Sequence, residues 1–134
     1  MIALLALLVF APALFAPAQQ PPEFKVIADL ANYLSQGNAP GAMEAFDKSI
    51  PDYQTISNNI FALVSQADIS CTIDPVEQNG SVIEVDWFMK LKSRSDQGPT
   101  ERRQMTVKLT IEKVGKRYRI KAIDPSSILA PPTL

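Results

Sequence analysis

The chain has 134 residues, 46% of them apolar and 20% charged, the make-up of one soluble globular domain. It contains no histidine, which excludes histidine-based catalysis and histidine-held metals, and no metal or cofactor is expected. A formal net charge of −1 conceals an uneven distribution, acidic as far as Met89 and basic from Lys90 onward.

Residues 1–18 carry no charged side chain, and from Ile2 to Phe15 only Pro12 breaks the apolar run. A spanning helix needs about 20 apolar residues, so the run is too short to cross a membrane. It reads as the core of a secretory signal peptide, with an uncleaved anchor as the alternative. Ala16-Pro17-Ala18 supplies small residues for a cut after Ala18 and export to the periplasm or beyond the cell. The absence of Lys or Arg near Met1 departs from the usual leader. Residues 19–22 then form a flexible lead-in, 23–125 a single domain and 126–134 a loose tail.

A helix is expected over 24–36, where Phe24, Ile27, Ala31 and Leu34 recur at helical spacing and Gly37 follows as the terminating residue. Pro40 opens a second helix over 40–48 that packs Met43 and Phe46. Asp52 is placed to cap a third over 53–67, whose inner stripe is Ile56, Ile60, Leu63 and Val64. From Ile69 the period changes to two, giving strands over 69–77, 81–94, 101–114 and 117–124. The fold class is therefore α+β, three N-terminal helices packed on a curved four-stranded antiparallel sheet.

The second strand alternates cleanly, with Ile83, Val85, Trp87, Met89 and Leu91 on the inner face. A two-residue type II′ loop at Gly115-Lys116 sets Val114 opposite Arg117, Glu112 opposite Arg119, Ile111 opposite Ile120 and Leu109 opposite Ala122. Asn79-Gly80 signals a type I′ hairpin, but a tight turn there would bury Thr72 and Asp74 beside Trp87. A bulge at Pro75 repairs this, bringing Ile73 to Val85, Cys71 to Trp87 and Ile69 to Met89. Asn79-Gly80-Ser81 also fits a glycosylation sequon, though a hairpin turn accounts for it alone. The single cysteine, Cys71, excludes an internal disulfide and reads as a small core residue.

The helical opening FKVIADLANYLSQGNAPGAMEAF, the strand SVIEVDWFMKLK and the closing hairpin VKLTIEKVGKRYRIKAIDP resemble the nuclear transport factor 2-like superfamily, which includes SnoaL-like and ketosteroid-isomerase-like proteins. The resemblance covers residues 24–124 and is one of pattern and order. Many members end on a strand of the type W-x-I-x-x-I, where this chain has Tyr118, Ile120 and Ile123. The resemblance implies a sheet wrapped by helices into a cone, often with a pocket at its wide end. Members range from isomerases and dehydratases to binding modules, and the enzymes place Asp, Tyr, His or Arg in the pocket.

Tyr33, Met43, Tyr53, Trp87, Met89, Met105 and Tyr118 are candidates to line a small apolar ligand pocket, with ordinary core packing as the other explanation. Asp29 and Tyr33, one helical turn apart, form either an acid–base pair at a pocket mouth or a solvated helix edge. Lys90, Lys108, Arg119 and Lys121 fall on the outer sheet face, suited to an anionic partner or to plain solvation. Nucleic acid is not expected, because Phe88 is the only aromatic residue on that face. No residue is assigned a catalytic role. The expected function is an exported, non-catalytic binding or accessory module, a monomer or weak homodimer. The rivals are an isomerase- or hydrolase-like enzyme using pocket Asp and Tyr residues, and an interaction domain using the basic sheet face.

Overall fold

The computed structural model describes residues 20–95 and 98–133. The expected signal peptide over 1–18 lies outside the described residues. Among those described, no helix is long and apolar enough to cross a membrane.

Helix α1, Glu23–Ser35, buries Ile27, Leu30, Ala31 and Leu34, one stripe of the 3.6-residue period. Its end is a Schellman motif. Gly37 takes φ +72, its N–H donates to Leu34 O, and Asn38 N–H donates to Tyr33 O. Helix α2, Ala39–Met43, starts at Asn38, whose side chain accepts from Gly41 N.

The helix expected over 40–48 is shorter because a sheet edge competes for its backbone. Asp47 N–H donates to Ile120 O, and Ile120 N–H donates to Ala45 O, so Phe46 bridges to Ile120 in parallel sense. Those bonds cover an edge that would otherwise be open. Helix α3, Tyr53–Gln66, buries Ile56, Ile60 and Leu63. Asp52 stands at its N-cap position but is left-handed, φ 61, and its side chain makes no capping bond, against expectation.

The strands are β1 Ala67–Asn79, β2 Val82–Ser93, β3 Thr100–Val114 and β4 Arg117–Asp124, joined as an antiparallel meander in that order. The first hairpin turns on Gly80-Ser81, with Asn79 opposite Val82. Of those loop residues Gly80 alone takes positive φ, the pattern of a type II′ rather than a type I′ turn. The bulge falls between Pro75 and Glu77, so Val76 is the extra residue and Pro75 keeps its pairing with Val85. Ile73 therefore meets Trp87, Cys71 meets Met89 and Ile69 meets Leu91. The register is two residues from the expected one, yet the faces hold, with Thr72 and Asp74 exposed and Ile69 and Ile73 buried.

The closing hairpin has Val114–Arg117, Glu112–Arg119 and Ile111–Ile120 as expected. A second irregularity beyond Ile111 leaves Lys121 unpaired and sets Leu109 opposite Ile123 instead of Ala122.

Ile83, Val85, Trp87, Met89 and Leu91 are all fully buried beneath the helices. Burying each such side chain stabilises the fold by about 1.5–3 kcal/mol. The free edge of β1 is partly capped by Ser35, whose hydroxyl accepts from Cys71 N at 2.9 Å. The C-terminal segment is not loose. Ser126–Leu129 forms a 3-10 turn whose Ile128 and Leu129 are fully buried.

Candidate ligand cleft

Helix α1 aligns Lys25, Asp29 and Tyr33 at four-residue steps along one face. Lys25 Nζ donates to Asp29 Oδ2 at 2.8 Å, and that bond, with the attraction behind it, raises the Lys25 pKa above its ordinary value. The Phe46–Ile120 bridge draws residues 44–47 alongside β4, so Glu44 reaches Arg117, Oε1 to Nη2 at 3.5 Å. Arg119 Nη1 donates to Glu44 O at 3.2 Å. Between these parts lies an open cleft of about 420 Å³. Tyr33 and Tyr118 supply aromatic wall, Gly41 and Ala45 supply room, and Lys116 stands at the hairpin tip. Gly41 is small for a reason, since a Cβ there would sit 2.5 Å from Tyr33 Cδ1.

Of the residues expected to line a pocket, Tyr33 and Tyr118 line this cleft, joined by Asp29. Met43, Trp87 and Met89 are buried in the core, and Tyr53 and Met105 pack against it half-buried. The indole N–H of Trp87 is buried with no hydrogen-bond partner. Burial pushes the Cys71 thiol up to about 12, opposed by the approach of the Trp87 indole N–H to its sulfur, so it is no thiolate nucleophile near neutral pH. Among the described residues, no cluster of His, Cys, Asp and Glu is arranged to hold a metal ion.

Lys90, Lys108 and Arg119 share the outer face of the sheet, and Lys121 is the unpaired residue of β4. Lys108 is opposite Glu84 on one side and Asp124 on the other, Arg119 is opposite Glu112, and Lys90 is opposite Arg102.

Sequence reasoning missed Glu101 and Arg103. Both share the parity of Met105, Val107 and Leu109, so they lie on the inner face, and that parity was the available signal. Arg103 Nε donates to Glu101 Oε2 at 2.8 Å. Arg103 Nη1 donates to Ile128 O and Ala130 O at 2.9 and 2.7 Å, and Nη2 donates to Pro131 O at 2.9 Å. Thr133 N donates to Glu101 Oε1 at 2.9 Å.

No protein-family description matches the chain, and no curated protein matches it in sequence. Solved structures do match in shape. A putative scytalone dehydratase from Novosphingobium aromaticivorans superposes with a TM-score of 0.61 at 11% identity, over 87% of this chain and 82% of that one. A computationally designed 17-OHP binder gives 0.61 at 11% identity, over 78% and 90%. The β subunit of benzoate 1,2-dioxygenase from Burkholderia mallei gives 0.58 at 8% identity, over 75% and 84%. At such identities the likeness concerns the fold alone. Helices on an open four-stranded antiparallel meander, matched over most of the chain, are the nuclear transport factor 2-like cone fold.

Proposed function

We propose that the chain is an exported binding or accessory module that holds a small ligand in the cleft between α1 and the β3–β4 hairpin. The observation that carries this is the cleft itself, about 420 Å³, within the range of small-molecule sites. The two tyrosine rings suit a flat apolar body. Lys25 and Arg117 are engaged by Asp29 and Glu44, while Lys116 has no ion-pair partner among the described residues. The ligand class is therefore a planar, largely apolar molecule carrying one anionic group. That the cone fold also serves a designed 17-OHP binder supports a binding role for the architecture. Export rests on the leader-like sequence of residues 1–18 alone.

Titration with a panel of aromatic carboxylates, followed by calorimetry, tests the reading. Saturable binding that Tyr118→Ala abolishes and Lys116→Glu weakens is the expected result. Binding indifferent to both changes would remove the cleft from consideration.

A second reading, acid–base catalysis, draws on Asp29 and Tyr33 lining the same cleft. Against it, the Asp29 side chain is 42% exposed and held by Lys25, whereas such chemistry relies on excluding water. Turnover of a bound ligand, lost in Asp29→Asn with binding intact, would favour this second reading.

A further inference from the structure

The cations around the cleft are not equally free. Lys25 is spent on Asp29, with Nζ donating to Oδ2 at 2.8 Å. Arg119 is spent on the main chain, donating to Glu44 O at 3.2 Å. Arg117 differs from both. Its Nη2 lies 3.5 Å from Glu44 Oε1, yet among the described residues the guanidinium donates no hydrogen bond. The Arg117 and Glu44 side chains are 62% and 65% exposed, and a pair so open to water contributes little to stability.

Arg117 is therefore the cation able to change partner. A guanidinium offers a planar fork that donates two parallel bonds to one carboxylate, a stronger union than a loose ion pair. The exchange disturbs nothing else. Arg119 keeps hold of Glu44 O, and Ile120 N–H keeps donating to Ala45 O, so the wall stays in place while the Glu44 side chain swings into water. Tyr118 follows Arg117 on β4 and both line the cleft, which sets the fork beside the aromatic wall.

Resting on the cleft as the ligand site, we infer that Arg117 selects the ligand by charge. It takes the carboxylate of an aromatic acid, and Glu44 holds it until the ligand arrives. Glu44 is thus an internal competitor whose carboxylate stands in for that of the ligand. Removing it tightens binding, the opposite of what loss of a wall contact does. A neutral analogue gains nothing from the exchange, because it leaves Glu44 and Arg117 paired.

The probes are 2-naphthoate and its neutral amide, 2-naphthamide, titrated by calorimetry. The wild-type chain should bind naphthoate at least about tenfold more tightly than the amide. Arg117→Gln should remove most of that preference, and Arg117→Lys should keep only part of it, since an ammonium cannot reproduce the fork. Glu44→Gln should tighten naphthoate about fivefold, the scale of a surface ion pair, and leave naphthamide unchanged. In the Arg117→Gln background the same change should give less than about a twofold gain, because the competition has lost its object. Both positions are more than half exposed, so these variants keep the fold.

Naphthoate binding that Tyr118→Ala abolishes but Arg117→Gln leaves untouched would keep the cleft and overturn this inference alone. A Glu44→Gln gain of the same size without Arg117 would also overturn it, since that reports only the removal of a negative charge. A wild-type chain that binds neither compound overturns the cleft reading and this inference with it.

Discussion

Replacing Trp87 by phenylalanine should leave stability within about 1 kcal/mol of wild type, although Trp87 is fully buried. Apart from an approach to the Cys71 sulfur its indole N–H has no hydrogen-bond partner, and a buried orphan of that kind costs about 1–3 kcal/mol. Phenylalanine lacks the group and recovers that penalty. Against the gain stand a residual void of roughly 40 Å³, worth about 1 kcal/mol at ~24 cal/mol per Å³, and lost apolar burial on the order of 1 kcal/mol. The terms nearly cancel. Alanine recovers the same penalty but empties the whole site, and should cost about 3–5 kcal/mol. Urea unfolding followed by far-ultraviolet circular dichroism is the assay, because Trp87 is the only tryptophan and fluorescence disappears with it. A Trp87→Phe cost above about 3 kcal/mol would show that the indole N–H is bonded in the interior, and would refute the account of a dry, filled core.

Gly41→Ala places a methyl 2.5 Å from the Tyr33 ring and forces it to swing within the cleft. The variant should keep its melting temperature within a few degrees but bind ligand about tenfold more weakly, measured by calorimetry. The Arg103 guanidinium donating to Glu101 holds that carboxyl below its ordinary 4.5. A depressed carboxyl gives stability that is present above pH 4.5 and lost as pH falls through the lower folded value, so protection of the Thr133 amide should collapse in acid, read by hydrogen exchange. Cys71 acts with the opposite sign. Its thiol is raised from 9.0 to about 12, so stability should hold below pH 9 and decline as pH rises toward 12. The Cys71 share of the decline should approach about 1.4 kcal/mol per pH unit and vanish in Cys71→Ala, measured by urea unfolding at each pH.

Local chemistry was readable from the residues where it acts alone. Gly37 ends α1 because only a residue free to take positive φ closes that Schellman motif, and the Gly115 turn sets Val114 to Ile120 by counting. The strict alternation of β2 fixed its buried face. What escaped depends on distant partners. The helix at Pro40 stops early because the β4 edge claims the backbone of Ala45 and Asp47. The bulges fall at Val76 and Lys121, where no residue type demanded them; the two-residue slip in β1 kept its faces, whereas the one-residue slip in β4 turned Ile123 inward in place of Ala122. The tail appeared loose from its prolines, yet Ile128 and Leu129 had a core to reach and Arg103 to hold them.

The cleft shows the same division. The spacing of Asp29 and Tyr33 put them on one face, but Glu44, Lys116 and Tyr118 join them only because Phe46 bridges to Ile120. Arg103 and Glu101 carried a signal that went unused, charged residues in phase with an apolar inner face.

Native mass spectrometry of the full chain, purified gently from its own source beside Tyr33→Ala and Tyr118→Ala variants, tests the central claim most directly. The account predicts extra mass on the wild-type protein, lost on denaturation and missing from both variants. Extra mass that both variants retain would place any ligand elsewhere and contradict the cleft as the binding site.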